Sequence, residues 1–432
     1  MDTIFAVASG AGRAAVAVMR ISGEGCGAVL DALCRQRPPP RVASVRSLRS
    51  TEGVVLDRAL VLWFPGPHSY TGEDCLELHM HGGRAVLNAV ADGLVALGAR
   101  PAEPGEFTRR AFLNGRMDLV EAEAVADLVE AETAAQRVQA LRQMEGALGG
   151  RLAGWSDRLV RLLAQQEALI DFPEEDLPPS VEAAALAEIV ALAGEMGSAI
   201  DDGRCGERLR EGLVFAIAGA PNVGKSTLIN ALAEREVAIV APTPGTTRDV
   251  LEARIELGGV PVTLLDTAGI RDSADAIERE GVRRARARVA EADAVVLVTD
   301  ASRPCTARVL DARPGQIVIE VANKIDIVPA SPRATIGVSA LHGNGIDRLL
   351  QTLADLARDL TLSAGPPPLT RARHRAALTE AVERLNAAQC APLPELRGED
   401  LRLALRAIGR ITGSVGVEDI LDSVFRQFCI GK

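Results

Sequence analysis

Lys225 and Ser226 stand near the end of GAPNVGKST (219–227), which follows the apolar run LVFAIA and opens STLINAL. A GxxxxGK[ST] spacing between a strand and a helix makes a phosphate cradle. Its glycines let backbone N–H groups wrap the phosphates, and the helix N-terminus adds partial positive charge. Lys225 then pairs with the β- and γ-phosphates, and the Ser226 hydroxyl ligates Mg²⁺. Three further elements arrive in order. DTAG (266–269) ends the run VPVTLL, where Asp266 reaches Mg²⁺ through water and the Gly269 N–H meets the γ-phosphate. NKID (323–326) ends IVIEVA, and the Asp326 carboxylate accepts hydrogen bonds from guanine N1–H and the exocyclic amine, which adenine does not offer. SAL (339–341) follows a further strand and packs against the base. Together these elements specify a site that binds and hydrolyses GTP.

The catalytic arrangement departs from that of small GTPases, in which a glutamine after DxxG orients the attacking water. Ile270 occupies that place. Hydrolysis therefore needs another polar group and a positive charge for the transition state. RDSADAIERE (271–280) offers several acids and arginines, and spacing does not choose among them. A second chemical feature is the closing FRQFCIGK (425–432), with Cys429 and Lys432 beside the terminal carboxylate. As a prenylation box CIGK fails, because Gly431 is not aliphatic and lysine is outside the usual terminal set. Val424, Phe425 and Phe428 have helical spacing for a buried face, and Gly431 suits a helix C-terminal cap. His79 and His81 share a strand face, but without a third ligand nearby they read as part of a turn at HGG.

These residues need elements to hold them. A chain of 432 residues implies two or three domains, and 47% apolar with 25% charged residues is globular composition. Aromatics at 3% argue against stacking platforms for single strands, and a net charge of −10 against a broad basic surface. Seven scattered cysteines without CxxC pairs point to a reduced, cytosolic protein without structural zinc. Neither a secretory leader nor a membrane-length apolar run is apparent. Strands are expected at 4–9, 14–22, 59–64 and 75–81, with helices around 24–34 and 84–97. Helical patterning runs from Leu119 to about Ile170 and again to about Ile200. LVFAIAG, VTLLD, AVVLVTD and IVIEVAN then alternate with helices, the signature of a parallel doubly wound sheet. Helix returns from Thr370. The simplest architecture is an α/β domain inserted into a discontinuous helical domain.

APNVGKST, PGTTRD (244–249), DTAGIR and FCIGK occur here with VMRISG (18–23), YTGEDCLELHMHGG (70–83), PGEFTRRAFLNGRMDL (104–119) and ITG (411–413). In this combination the chain resembles the MnmE (TrmE) family of bacterial tRNA-modification GTPases over essentially its whole length. The resemblance implies an α+β folate-binding and dimerising domain over 1–118, a helical domain over 119–210 and 359–432, and a Ras-like α/β G domain over 211–358. It implies a cytoplasmic homodimer that assembles with a MnmG (GidA)-like flavoprotein, giving a heterotetramer, with FAD on that partner. The activity implied is formation of 5-carboxymethylaminomethyl on the wobble uridine of tRNA. The one-carbon unit comes from a tetrahydrofolate derivative, 5-formyl or 5,10-methylene, and GTP hydrolysis drives the cycle.

By the same resemblance, the nucleotide contacts are Asn222, Val223, Gly224, Lys225, Ser226 and Thr227, then Ala241, Pro242, Thr243, Pro244, Gly245, Thr246 and Thr247. Asp266, Thr267, Ala268 and Gly269 follow, then Asn323, Lys324, Asp326, Ser339 and Ala340. Paired G domains hold K⁺ in place of an arginine finger, through Asn222, Ala241, Thr243 and Thr246. Thr247 joins Ser226 on Mg²⁺, and Glu278 positions water. A threonine common in the family at the start of the K⁺ loop is Ala241 here, which can replace it if the ligand is a backbone carbonyl. Folate falls to Arg20, Glu77, Arg116 and Lys432, with arginine at 116 where the family often has lysine. The tail then brings Cys429 to the folate site as nucleophile or acid–base group.

Rival readings are weaker. A GTPase switch in ribosome assembly would bind RNA without modifying it, and it would call for a basic RNA-binding module. A folate-dependent methyltransferase acting without a partner would need a dinucleotide fingerprint, and no GxGxxG is present. The nucleotide motifs exclude a pure scaffold.

Overall fold

The computed structural model describes the chain except residues 1, 11, 172–178, 203, 236–251, 267–289, 304–312, 314, 329–335, 362–366, 417–420, 422, 423, 427, 429 and 432. It divides into two compact units, one of residues 1–126, 143–189 and 383–432, the other of residues 127–142 and 190–382.

In the first unit, β1 (Ile4–Val7), β2 (Ala14–Ser22), β3 (Ser44–Arg49), β4 (Val55–Phe64), β5 (Cys75–Gly82) and β6 (Arg100–Pro101) form one sheet in the order β3-β4-β5-β2-β1-β6. Side chains alternate across it, as a period of two requires. Met19, Ile21, Val61, Trp63, Leu76, Leu78 and Met80 are buried on one face. They pack with Val29 and Leu30 of α1 (Cys26–Cys34) and with Val90 and Leu94 of α2 (Arg84–Ala96). The residues between them, Arg20, Glu77 and His79, therefore lie on the opposite face. There Phe107 of α3 (Glu106–Leu113) is fully buried with Ile4 and Ala6, and Tyr70 packs against them. Two strands of this unit escape the sequence reading. β3 is an edge strand whose SVRSLR pattern is half polar, and β6 is only a two-residue parallel extension of β1.

Helices α4 (Leu119–Glu130), α5 (Ala134–Met144), α6 (Ala147–Asp171) and α7 (Pro179–Ile200) follow. Leu148, Leu152, Trp155, Leu159, Leu162 and Gln166 are buried along α6. That four–three spacing is a coiled-coil seam. It meets Arg397, Leu401, Ala404, Ile408 and Ile411 of α12 (Pro394–Thr412), spaced the same way. Gly398 lies beside Gln166 and Ile170, so α12 starts where α6 ends and the pair is antiparallel. Within Ser180–Glu211 the chain is long and apolar enough to cross a membrane by composition, contrary to the sequence reading. Within it Ile189, Leu192 and Met196 are buried, and Glu188 is paired with Arg158 at 2.6 Å.

The second unit contains α8 (Cys205–Glu211) and a sheet of β7 (Leu213–Ala218), β8 (Glu252–Leu257), β9 (Val260–Asp266), β10 (Ala294–Asp300), β11 (Ile317–Asn323) and β12 (Ile336–Val338). Its order is β12-β11-β10-β7-β9-β8. Five strands run parallel, and the near-continuous burial of AVVLVTD is what a strand covered on both faces requires. β8 is added antiparallel to β9 through the turn at Gly258 and Gly259. α9 (Lys225–Arg235) and α10 (Ile346–Thr361) pack on this core through Leu228, Ile229, Leu232, Leu349 and Leu353. The last long element of the unit begins α11 (Ala372–Cys390).

Candidate functional site

β7 lies between β9 and β10, so the loop after Ala218 leaves the middle of the sheet. It turns into α9 through Asn222 at φ 63 and Gly224 at φ 93. A Cβ on Gly224 would overlap Nδ2 of Asn323, so both backbone angle and space require glycine there. Lys225 is buried, and its Nζ donates to Gly219 O at 2.9 Å and Ala220 O at 3.0 Å. Burial lowers its pKa. The Ser226 hydroxyl is hydrogen-bonded to Asp266 Oδ2 at 2.6 Å. A hydroxyl and a carboxylate at that spacing are hard donors that suit Mg²⁺. Thr227, next in α9, is exposed.

Asn323 is almost wholly buried, and its amide is used at both ends. Nδ2 donates to Val223 O at 2.8 Å, and Oδ1 accepts from Ala340 N at 3.0 Å. One side chain thus joins the P-loop to the SAL segment. Lys324, at φ 67, donates to Asn222 O at 3.0 Å and to Asp300 Oδ2 at 2.7 Å. Asp326 stays partly exposed, and the Ser339 hydroxyl holds its carboxyl below the usual range. Asp300 is the residue the sequence reading missed. The available signal was its place as the acid closing the apolar run AVVLVTD, as Asp266 closes VPVTLL; its register with Asn323 came only from the fold.

Ala241, Pro242, Thr243, Pro244, Gly245, Thr246, Thr247, Thr267, Ala268, Gly269 and Glu278 lie outside the described residues, as do Cys429 and Lys432.

On the N-terminal sheet, β2 and β5 place Arg20 opposite Glu77. Arg20 donates to Glu77 Oε1 through Nε at 3.1 Å and Nη2 at 2.9 Å. Its guanidinium also stands over the Tyr70 ring at 4.9 Å and near the Phe107 ring at 5.9 Å. Residues assigned separate ligand contacts from sequence are therefore partners of each other. His79 Nε2 is 3.5 Å from Glu77 Oε2, whereas His81 bonds Asp57 at 2.7 Å, so the two histidines do not converge. Arg116 is exposed, with its stem beside Gly72. A partly buried network missed from sequence secures the intervening loop. Arg110 donates to Asp2, Glu73 and Glu106, and Ser22 donates to Glu73 at 2.8 Å.

The C-terminal segment reaches this same unit. Phe425 and Phe428 are buried with Leu119 and Ala122, and the partly buried Phe112 packs against them. Gly431, at φ 104, lies so close to the Val7 carbonyl that a Cβ would overlap it. Val7 is next to Ala6, the register partner of Arg20.

Family models match nearly the whole chain. One described as GTP-binding protein TrmE N-terminus covers residues 3–116, and one described as MnmE helical domain covers residues 119–429. A tRNA modification GTPase MnmE of Gluconacetobacter diazotrophicus is 59% identical over 99% of this chain and 98% of its own length. Its namesakes from Granulibacter bethesdensis and Rhodospirillum rubrum are 54% and 52% identical, each over 100% of this chain, covering 99% and 100% of their own lengths. With the Lys225 loop, the Asn323–Ala340 link and a tail seated on the N-terminal sheet already in place, the chain belongs to the MnmE family of tRNA modification GTPases.

Proposed function

We propose that this chain hydrolyses GTP in the cytoplasm and, as a homodimer with a MnmG-like flavoprotein that carries FAD, builds 5-carboxymethylaminomethyl on the wobble uridine of tRNA. A tetrahydrofolate derivative supplies the one-carbon unit. The observation that carries this reading is the seating of Gly431 on the β1 backbone. It brings the end of the chain to the sheet that holds the Arg20–Glu77 pair.

The proposed partition is 1–118 for folate binding and dimerisation, 119–210 with 359–432 for the helical domain, and 211–358 for the G domain. Lys225 and the P-loop amides hold the phosphates, Asp326 reads guanine, and Ser226 with Thr247 holds Mg²⁺. The short Ser226–Asp266 distance supports the Mg²⁺ assignment. Asn222, Ala241, Thr243 and Thr246 hold K⁺, and Glu278 orients water. Arg20, Glu77, Arg116 and Lys432 hold folate, whose carboxylates suit guanidinium and ammonium groups. Cys429 acts at the uracil ring.

Nucleoside analysis of tRNA from a deletion strain, with and without a plasmid carrying this chain, tests the proposal. Restoration of the modified wobble uridine is expected, and an unchanged profile sinks the reading.

A further inference from the structure

We propose that Asp300 is a positioning residue for guanine-nucleotide retention: through Lys324 it holds the P-loop carbonyl of Asn222. The inference is independent of the tRNA chemistry above and rests on four adjoining contacts. Ser302 donates to Asp300 Oδ1 twice, from its backbone N at 2.9 Å and its hydroxyl at 2.6 Å. That leaves Oδ2 aimed at Lys324 Nζ, 2.7 Å away. The ammonium's second partner is Asn222 O at 3.0 Å. The chain of contacts runs from the end of β10, across the base-recognition segment, into the phosphate loop.

Charge and shelter make the link directional. Asp300 is only 9% exposed, and the Lys324 hydrogen bond, seconded by Ser302, holds its carboxyl down to about 2. It is therefore an anion at every working pH. Lys324 has an ammonium with three donors and no acceptor, and nothing in its own stem fixes where they point. It also occupies the left-handed backbone region, which an L residue keeps only when its surroundings enforce it. Without the carboxylate, water competes for the ammonium, and the Asn222 carbonyl loses its tether. Asn222 itself has a positive φ, and its tethered carbonyl belongs to the turn that leads into α9.

The test uses the full-length chain and release of a fluorescent N-methylanthraniloyl-GDP, measured by stopped flow. Asp300→Asn is expected to release nucleotide about tenfold faster, because an ion pair with the Lys324 ammonium becomes at most a hydrogen bond to a neutral amide. The nucleotide-free melting temperature should stay within about 2 °C of the parent chain. In a Lys324→Met background the same substitution should change release less than about twofold, since its partner is gone. Ser302→Ala, which removes one of the bonds orienting the carboxylate, should speed release about threefold, and it carries the test if Asp300→Asn does not fold. Unchanged release in both variants, or an undiminished effect of Asp300→Asn in the Lys324→Met background, overturns the proposal.

Discussion

Ser226 Oγ and Asp266 Oδ2 lie 2.6 Å apart, joining the first turn of α9 to the end of β9. A strand end and a helix start thereby share one short bond at the mouth of the phosphate loop. Ser226→Ala removes the hydroxyl and leaves the carboxylate with one donor fewer. The expected result is a fall of about 100-fold or more in Mg²⁺-dependent GTP turnover. Turnover within about twofold of the parent chain would contradict the metal assignment.

Asn323 is a structural bolt as well as part of the proposed guanine-recognition motif. Its replacement by alanine leaves the Val223 carbonyl and the Ala340 N–H, both inside the fold, without their partner. Leaving such groups unpaired costs about 1–3 kcal/mol each. Thermal unfolding of the nucleotide-free Asn323→Ala protein should therefore show a clear loss of stability, before any loss of guanine affinity is counted.

Gly431→Ala tests the tail. The Cβ has no room beside Val7 O, and the positive φ disfavours any L side chain by about 1–2 kcal/mol. Wobble-uridine modification should drop about tenfold or more while GTP turnover changes little. Loss of both activities together would mean that the tail also supports the G domain.

Ile270 leaves the usual water-orienting position without a polar group. GTP turnover is therefore expected to be faster in K⁺ than in Na⁺ at matched ionic strength. Equal rates in the two salts would remove the cation from the reading.

The cysteines should separate by alkylation under native conditions. Burial pushes the Cys34 thiol up to about 11 and the Cys26 thiol higher still, so the Cys34 thiolate is about a thousandth of the population at pH 8. Cys390 is exposed at the end of α11. Mass spectrometry after a brief iodoacetamide pulse should find Cys390 labelled well ahead of Cys26 and Cys34, and raising the pH should increase labelling at Cys34.

By itself, the sequence determined the features that depend on local order. Apolar runs in β2 and β4, the alternating CLELHMH of β5 and the Ala- and Leu-rich, breaker-poor stretch around α6 announced their elements. GAPNVGKST, DTAG and NKID could be read because a phosphate loop needs consecutive backbone amides and a strand on one side. The edge strand β3 could not be read this way, since one exposed side and half-polar spacing weaken the period. Only the tertiary structure decided which side chains meet. Asp300 reaches Lys324 because β10 and β11 run parallel with Asp300 and Asn323 in register. Arg20 meets Glu77 across 57 residues, and Gly431 meets Val7 across nearly the whole chain. These contacts arise from strand order and helix packing, which no short window of sequence contains.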